Sequence, residues 1–159
     1  MDRRLTYAKA NIYSENISVK AYIYGMARVV KPFDLVKLFA ALADPTRLRL
    51  LNLMNGREVC VCYFVEILEQ GQPKISRHLA YLRRAGIVEA RREGKWMHYR
   101  IERPRDTRAA SILDATLKSF GTDRDMKADL VRLGQACCAP QSVVTLQGAP
   151  MPITLPQTR

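Results

Sequence analysis

Apolar positions change their spacing several times along this chain, and each change marks an element. From Pro32 to Ala43, Phe33, Val36, Leu38, Phe39 and Leu42 fall largely on one helical stripe. Asp44-Pro45 then offers an N-cap followed by proline in the first turn, which predicts a second helix. Leu48, Leu50, Leu51, Leu53 and Met54 fill it, and Asn55-Gly56 ends it. A third helix is predicted from Val59 to Glu69, carrying Phe64, Val65, Ile67 and Leu68, with Gly71 breaking it. A fourth begins around Gln72-Pro73 and runs to Ala85, where Gly86 stops it. From Ile87 to Ile101 the period falls to two. Val88 and Ala90 alternate with charge, Met97, Tyr99 and Ile101 alternate with Trp96, His98 and Arg100, and Glu93-Gly94 lies between them as a hairpin turn. Asp106 to Phe120 returns to helical spacing through Ile112, Leu113, Leu117 and Phe120, and a short helix from Asp123 to Ala136 leads into Cys137-Cys138. Beyond Ala139 four prolines and no acidic residue predict a flexible tail.

Helix, short turn at Gly71, second helix and hairpin, in that order, predict a winged helix-turn-helix, mostly α with a small β-hairpin. The chain of 159 residues then divides into an arm over 1–31, a DNA-binding and dimerisation domain over 32–121, a C-terminal helix with the cysteine pair over 122–138, and a tail over 139–159. Residues 1–25 hold Tyr7, Tyr13, Tyr22 and Tyr24 with many Asn, Ile and Lys, whereas the body is rich in Arg, Ala and Leu. The break makes Met26 a candidate translation start, with a short N-terminal arm as the alternative. No apolar stretch approaches the length needed to span a membrane, and no secretory leader is visible, so a cytoplasmic protein is expected.

Charge sharpens this picture. The formal net charge is +11 with a pI near 9.9, and between Gln70 and Arg105 ten Lys and Arg face only Glu89, Glu93 and Glu102. A solvated face would account for such a run, but the fourth helix sorts its residues by side. Ile75, Leu79 and Leu82 lie on one stripe, and Lys74, Arg77, Tyr81 and Arg84 on the opposite one. Such a helix can enter a major groove with Gln72, Lys74, Ser76 and Arg77 at base edges, Gln and Arg each being able to make paired hydrogen bonds. Tyr81 and Arg84 would sit nearer the phosphates, and Arg91, Arg92 and Lys95 at the wing would add affinity with little specificity. His78 is read as a packing or phosphate-contacting residue rather than a metal ligand. Double-stranded DNA is therefore the expected partner, and a membrane surface is not.

At these residues the chain resembles a known family. Leu42-Ala43-Asp44-Pro45-Thr46-Arg47-Leu48-Arg49-Leu50-Leu51 resembles the second-helix signature of ArsR-type repressors. Gln72 to Val88 is similar to their recognition helix and wing entry, and Gly94-Lys95-Trp96-Met97-His98-Tyr99-Arg100 to the wing's return strand. The resemblance covers roughly Phe33 to Arg103. Glu58-Val59-Cys60-Val61-Cys62 is similar to the family's trivalent-arsenic motif, Glu-x-Cys-Val-Cys. What it implies is a homodimeric repressor of a metalloid-resistance operon that leaves its operator when arsenite or antimonite, As(III) or Sb(III), binds the thiolates as inducer, with no catalytic cofactor. The motif usually continues with Asp and a further Cys, but Tyr63 and Val65 stand there. A third thiolate must come from elsewhere, with Cys137 or Cys138 as candidates, or the site has two. The only histidines, His78 and His98, lie in the DNA-binding unit, so a histidine-carboxylate zinc site on the dimerisation helix is not expected.

The chemistry of Cys60 and Cys62 also stands by itself. Thiolates are soft ligands suited to a thiophilic centre and poorly suited to Mg²⁺ or Ca²⁺. Residues i and i+2 of a regular helix point about 200° apart, so on the predicted third helix the two could share one ion only if its start unwinds. Cadmium or lead sensing and a thiol redox switch are the alternatives on the same fold; Cys137-Cys138 could equally be a separate thiol pair. An enzyme is not expected, because no Cys-x-x-Cys, phosphate loop or paired carboxylate cluster is present.

Overall fold

A computed structural model describes residues 33–138 and 146–156. The compositional break at Met26 and the arm over 1–31 lie outside these residues, as does the start of the tail.

Local chemistry accounts for most element boundaries. Helix α1 (Leu35–Leu42) begins where the Asp34 carboxylate accepts from the Lys37 N–H at 3.1 Å. Helix α2 (Pro45–Met54) begins where Asp44 accepts from the Arg47 N–H at 2.9 Å, with Pro45 in the first position where no N–H is needed. Strand β1 (Arg57–Cys60) and helix α3 (Val61–Leu68) follow, and Glu69 closes α3 in the left-handed region at φ 52°. Helix α4 (Gln72–Arg84) ends at Gly86, whose φ of 75° favours glycine and whose Cα faces Phe33 so closely that an added Cβ would lie 3.3 Å from the ring. Strands β2 (Val88–Glu93) and β3 (Trp96–Ile101) form the hairpin; α5 (Thr107–Ser119) is capped by Asp106, and α6 (Arg124–Cys138) follows a single 3₁₀ turn. Strand β4 (Ile153–Thr154) completes an antiparallel sheet ordered β2-β3-β1-β4.

Three features depart from the sequence expectations. The helix expected from Val59 to Glu69 starts only at Val61. Val59 and Cys60 instead pair with Tyr99 and His98 of the wing, and a short apolar run carries no period that separates strand from helix. The helix expected from Asp123 to Ala136 runs on to Cys138 and shares the core: Met126, Leu133 and Ala136 are buried. It is tied to α2 by two bonds from Arg49 to Asp129, at 2.7 and 2.6 Å, and by the Asn52 amide donating to the Met126 carbonyl at 2.8 Å. Within the segment expected as a flexible tail, Leu146 is fully buried, Ile153 and Thr154 pair with Glu58 and Arg57, and the Leu155 N–H donates to the Gly56 carbonyl at 2.9 Å. No helix among the described residues is long and apolar enough to cross a membrane.

Candidate nucleic-acid interface and thiol site

Helix α4 is held by Ile75, Leu79 and Leu82, all fully buried, and this fixes its opposite side outward. Gln72, Lys74, Ser76, Arg77, Tyr81 and Arg84 are exposed on that side. Arg77 folds back, its Nε donating to the Pro73 carbonyl at 3.3 Å. His78 is mostly covered and sets its Nδ1 3.4 Å from Asp44 Oδ1, the carboxylate that caps α2. Its observed role is to join α4 to α2.

Between α4 and β2 lies an open cleft of about 980 Å³ lined by cations, including Arg47, Lys74, Arg77 and Arg84. The Tyr81 ring stands in it with the Arg47 guanidinium 4.4 Å from its centroid and that of Arg84 at 5.6 Å. Arg47 also donates to the carbonyls of Ala40 and Ala41, both at 2.7 Å, and so fills acceptors at the end of α1. Sequence reasoning placed Arg47 only within a motif. The available signal was its position three residues after the Asp44 cap, where its side chain can reach back to the preceding helix.

The wing divides its cations. Arg92 is exposed, its Nε donating to the Gly94 carbonyl at 3.0 Å, and Lys95 lies over the Trp96 ring with Nζ 4.8 Å from the centroid. Arg91, expected on phosphate beside them, is turned along the sheet. Its Nε and Nη2 lie 3.1 and 2.7 Å from Glu58 Oε1, and Nη1 is 2.7 Å from Glu93 Oε2. These carboxylates hold the guanidinium pKa above its ordinary value, Glu58 contributing most.

The thiols meet at the junction of β1 and α3. Cys60 is the last strand residue and the N-cap of α3, with extended backbone (φ −69°, ψ 144°), and Cys62 lies in the first turn. This kink brings the two Sγ atoms to 2.8 Å, the Cys62 thiol donating to Cys60. The expected unwinding is therefore unnecessary: Cys60 is already outside the helix. The bond from Cys62 lowers the Cys60 pKa to about 7 against the opposing effect of burial, with backbone N–H groups assisting. Cys62 is correspondingly pushed up, by giving its proton to that bond and by burial. The shared proton thus favours the thiolate on Cys60 over that on Cys62.

Cys137 is half-buried, its thiol pushed up by burial and by Cys138, while Cys138 is exposed. Among the described residues no three His, Cys, Asp or Glu side chains gather as a metal-holding group. Within one chain Cys137 and Cys138 do not join Cys60 and Cys62, although Cys137 lies within electrostatic reach of the buried Tyr63 hydroxyl, itself raised to about 12 mainly by burial.

Comparison with known proteins fits this geometry. The family described as bacterial regulatory protein, arsR family, matches residues 44–90. The arsenic resistance transcriptional regulator ArsR1 of Pseudomonas putida is 38% identical over 131 residues, 80% of this chain and 98% of that protein. The chain belongs to the arsR family. The arsenical resistance operon repressor of Escherichia coli is 48% identical to this ArsR-family protein over 80 residues, 50% of this chain and 68% of that one. HlyU from Vibrio cholerae aligns in three dimensions at TM-score 0.48 and 28% identity, covering 55% of this chain and 92% of that structure. Membership of this family makes the protein a DNA-binding transcriptional regulator, not an enzyme. Its matched region runs from the Asp44 cap to Ala90 on the wing and includes both Cys60 and Cys62 and all of α4.

Proposed function

We propose that this protein is a homodimeric repressor of a metalloid-resistance operon, bound to operator DNA until As(III) or Sb(III) is captured by Cys60 and Cys62. The observation that carries the reading is the thiol pair, 2.8 Å apart, at the start of the helix that packs on α4. The pair fits a soft, thiophilic ligand and supplies two of its donors. Cys137 or Cys138, from the same protomer or its partner, is the proposed source of a third. Gln72, Lys74, Ser76 and Arg77 would read bases, with Tyr81, Arg84, Arg92 and Lys95 toward the backbone. His78 would hold α4 against α2 beside the phosphates.

The second copy is supported by α1, where Val36 and Phe39 are 78% and 56% exposed, an unusual cost for a helix with no partner. Two reading helices related by a two-fold axis would match two half-sites. Two thiolates sharing one centre stand farther apart than the 2.8 Å of the free pair, so capture displaces the first turn of α3. Phe64, Ile67 and Leu68 on α3 and Ile75 and Leu79 on α4 share one buried cluster, so the displacement reorients the reading head.

Fluorescence anisotropy of a labelled duplex, selected by the protein from a randomised pool, tests the reading. Arsenite or antimonite is expected to release the complex, while zinc leaves it intact. Retention under both metalloids, with release by cadmium, lead or peroxide, replaces it with the soft-metal or redox alternative.

A further inference from the structure

The ion-paired row beneath the wing accounts for a part of the molecule that base reading and thiol chemistry leave unexplained. In the sheet register Arg91 on β2 faces His98 on β3, and His98 faces Cys60 on β1. Paired residues share a sheet face, as do residues two apart on one strand. Glu58, Cys60, His98, Arg91 and Glu93 therefore lie on the same face, with Cys60, His98 and Arg91 in one row across the strands, Glu93 toward the wing tip and Glu58 on the side away from it. Arg91 spans it. Its guanidinium holds Glu58, only 5% exposed, at 2.7 Å on one side and Glu93 at 2.7 Å on the other. His98, 1% exposed, lies beneath, with Nδ1 3.9 Å from Glu58 Oε1 and Nε2 3.7 Å from Glu93 Oε2.

A carboxylate this covered requires its cation, because one left unpaired keeps the full cost of desolvation. Arg91 is therefore committed to the protein and has little charge to lend to DNA. By contrast Arg92, next along the strand, makes no ion pair among the described residues and is exposed.

We propose that Arg91 is a positioning residue: with Glu58 it forms a strut that fixes the wing to the thiol-bearing strand and carries ligand capture at Cys60 and Cys62 to the wing. The coupling half of this inference rests on the repressor reading above; the strut itself does not. Movement of Cys60 on ligand binding shifts Glu58 two residues earlier in the same strand, and the guanidinium draws β2 with it. The wing tip at Glu93-Gly94 then leaves its place beside the backbone. Release has two routes, one through α3 to α4 and one through the strut to the wing.

Two measurements on the full-length chain separate strut from phosphate contact. The first is the slope of log affinity against log salt, which falls by about one for each phosphate contact removed. Arg92→Ala is expected to flatten it by about one. Arg91→Ala is expected to weaken binding up to about tenfold at every salt concentration with the slope unchanged, and Glu58→Gln to steepen the slope by freeing the Arg91 charge. A flattening by Arg91→Ala equal to that of Arg92→Ala overturns the strut.

The second measurement is arsenite-driven release beside arsenite occupancy, read as ultraviolet thiolate–arsenic absorbance. Glu58→Gln and Arg91→Gln are expected to bind arsenite at wild-type stoichiometry while release requires at least tenfold more arsenite. Wild-type release from both variants overturns the coupling. Should Glu58→Gln not fold, as judged by circular dichroism, the exposed Arg91→Gln carries the test alone. Should the wild type ignore arsenite, the repressor reading fails, and the salt slopes still decide the strut.

Discussion

Cys60→Ser is expected to bind the operator within about threefold of the wild type and to show no release at any arsenite concentration that empties the wild-type complex. Serine preserves the size and the capping position but replaces a soft sulfur with a hard hydroxyl that stays protonated at neutral pH. Operator affinity survives because Cys60 lies at the base of the wing sheet, away from the exposed side of α4. Loss of response is complete because Cys62, even joined by Cys137 or Cys138, no longer has a thiolate beside it at the start of α3. A typical coupling of about 5- to 150-fold in operator affinity therefore collapses to about one. Cys62→Ala removes the donor that lowers Cys60 and is expected to raise the Cys60 pKa as well as abolish response.

The same pair gives a pH signature with a definite sign. Cys60 titrates at about 7 when folded, below its ordinary value of 9.0. Between those values the folded pair has lost a proton that the unfolded chain still holds, so stability rises with pH across this window and is lost as pH falls through 7. Above the ordinary thiol value the direction reverses, because Cys62 keeps its proton in the folded pair and releases it on unfolding. Urea midpoints from pH 6 to 10 should trace this rise and fall, and Cys60→Ser should flatten the rise. A wild-type profile with no rise between pH 7 and 9 contradicts the shared proton.

The largest effect on folding is expected from Asp129→Ala, a loss of about 3–5 kcal/mol with a fall of about 10 °C or more in melting temperature. The Asp129 side chain is 2% exposed and takes both of its cationic bonds from Arg49. Truncation removes the ion pair between α2 and α6 and leaves unpaired a partly exposed guanidinium whose pKa is raised by this carboxylate. Asp129→Asn keeps the shape and one acceptor, and should lose about half as much. If denaturant unfolding of Asp129→Ala shifts by less than about 1 kcal/mol, the pair is not what fastens α6.

The sequence was most informative where physics is local. The Asp44-Pro45 cap, the glycine after α4 and the two-faced spacing of Ile75, Leu79 and Leu82 each depend on residues within a turn or two. The structure has those elements where these signals put them. Strand β1 was invisible for the opposite reason: nothing within Arg57–Cys60 says that His98 and Tyr99, some forty positions away, will complete its hydrogen bonds. The pairing of Arg91 with Glu58 was illegible on the same ground, since counting charges along β2 does not reveal a buried carboxylate two strands over. The pairing of Arg49 with Asp129 was illegible as well, because it spans 80 positions. The geometry of Cys60 and Cys62 followed from misplacing one boundary by two residues, enough to turn a pair on opposite sides of a helix into one already in contact.

The short strand Ile153–Thr154 has a consequence for how the protein behaves in bulk. It lies along the outer edge of β1, where it occupies backbone groups of Arg57 and Glu58. An uncovered strand edge is a template on which another chain can add its own strand, the usual beginning of irregular self-association. By covering that edge with Ile153 and Thr154, the chain closes a place where concentrated protein would otherwise stick to itself. A C-terminal truncation before Leu146 should thus be seen first as turbidity and loss of soluble yield, before any change in what the remaining protein recognises.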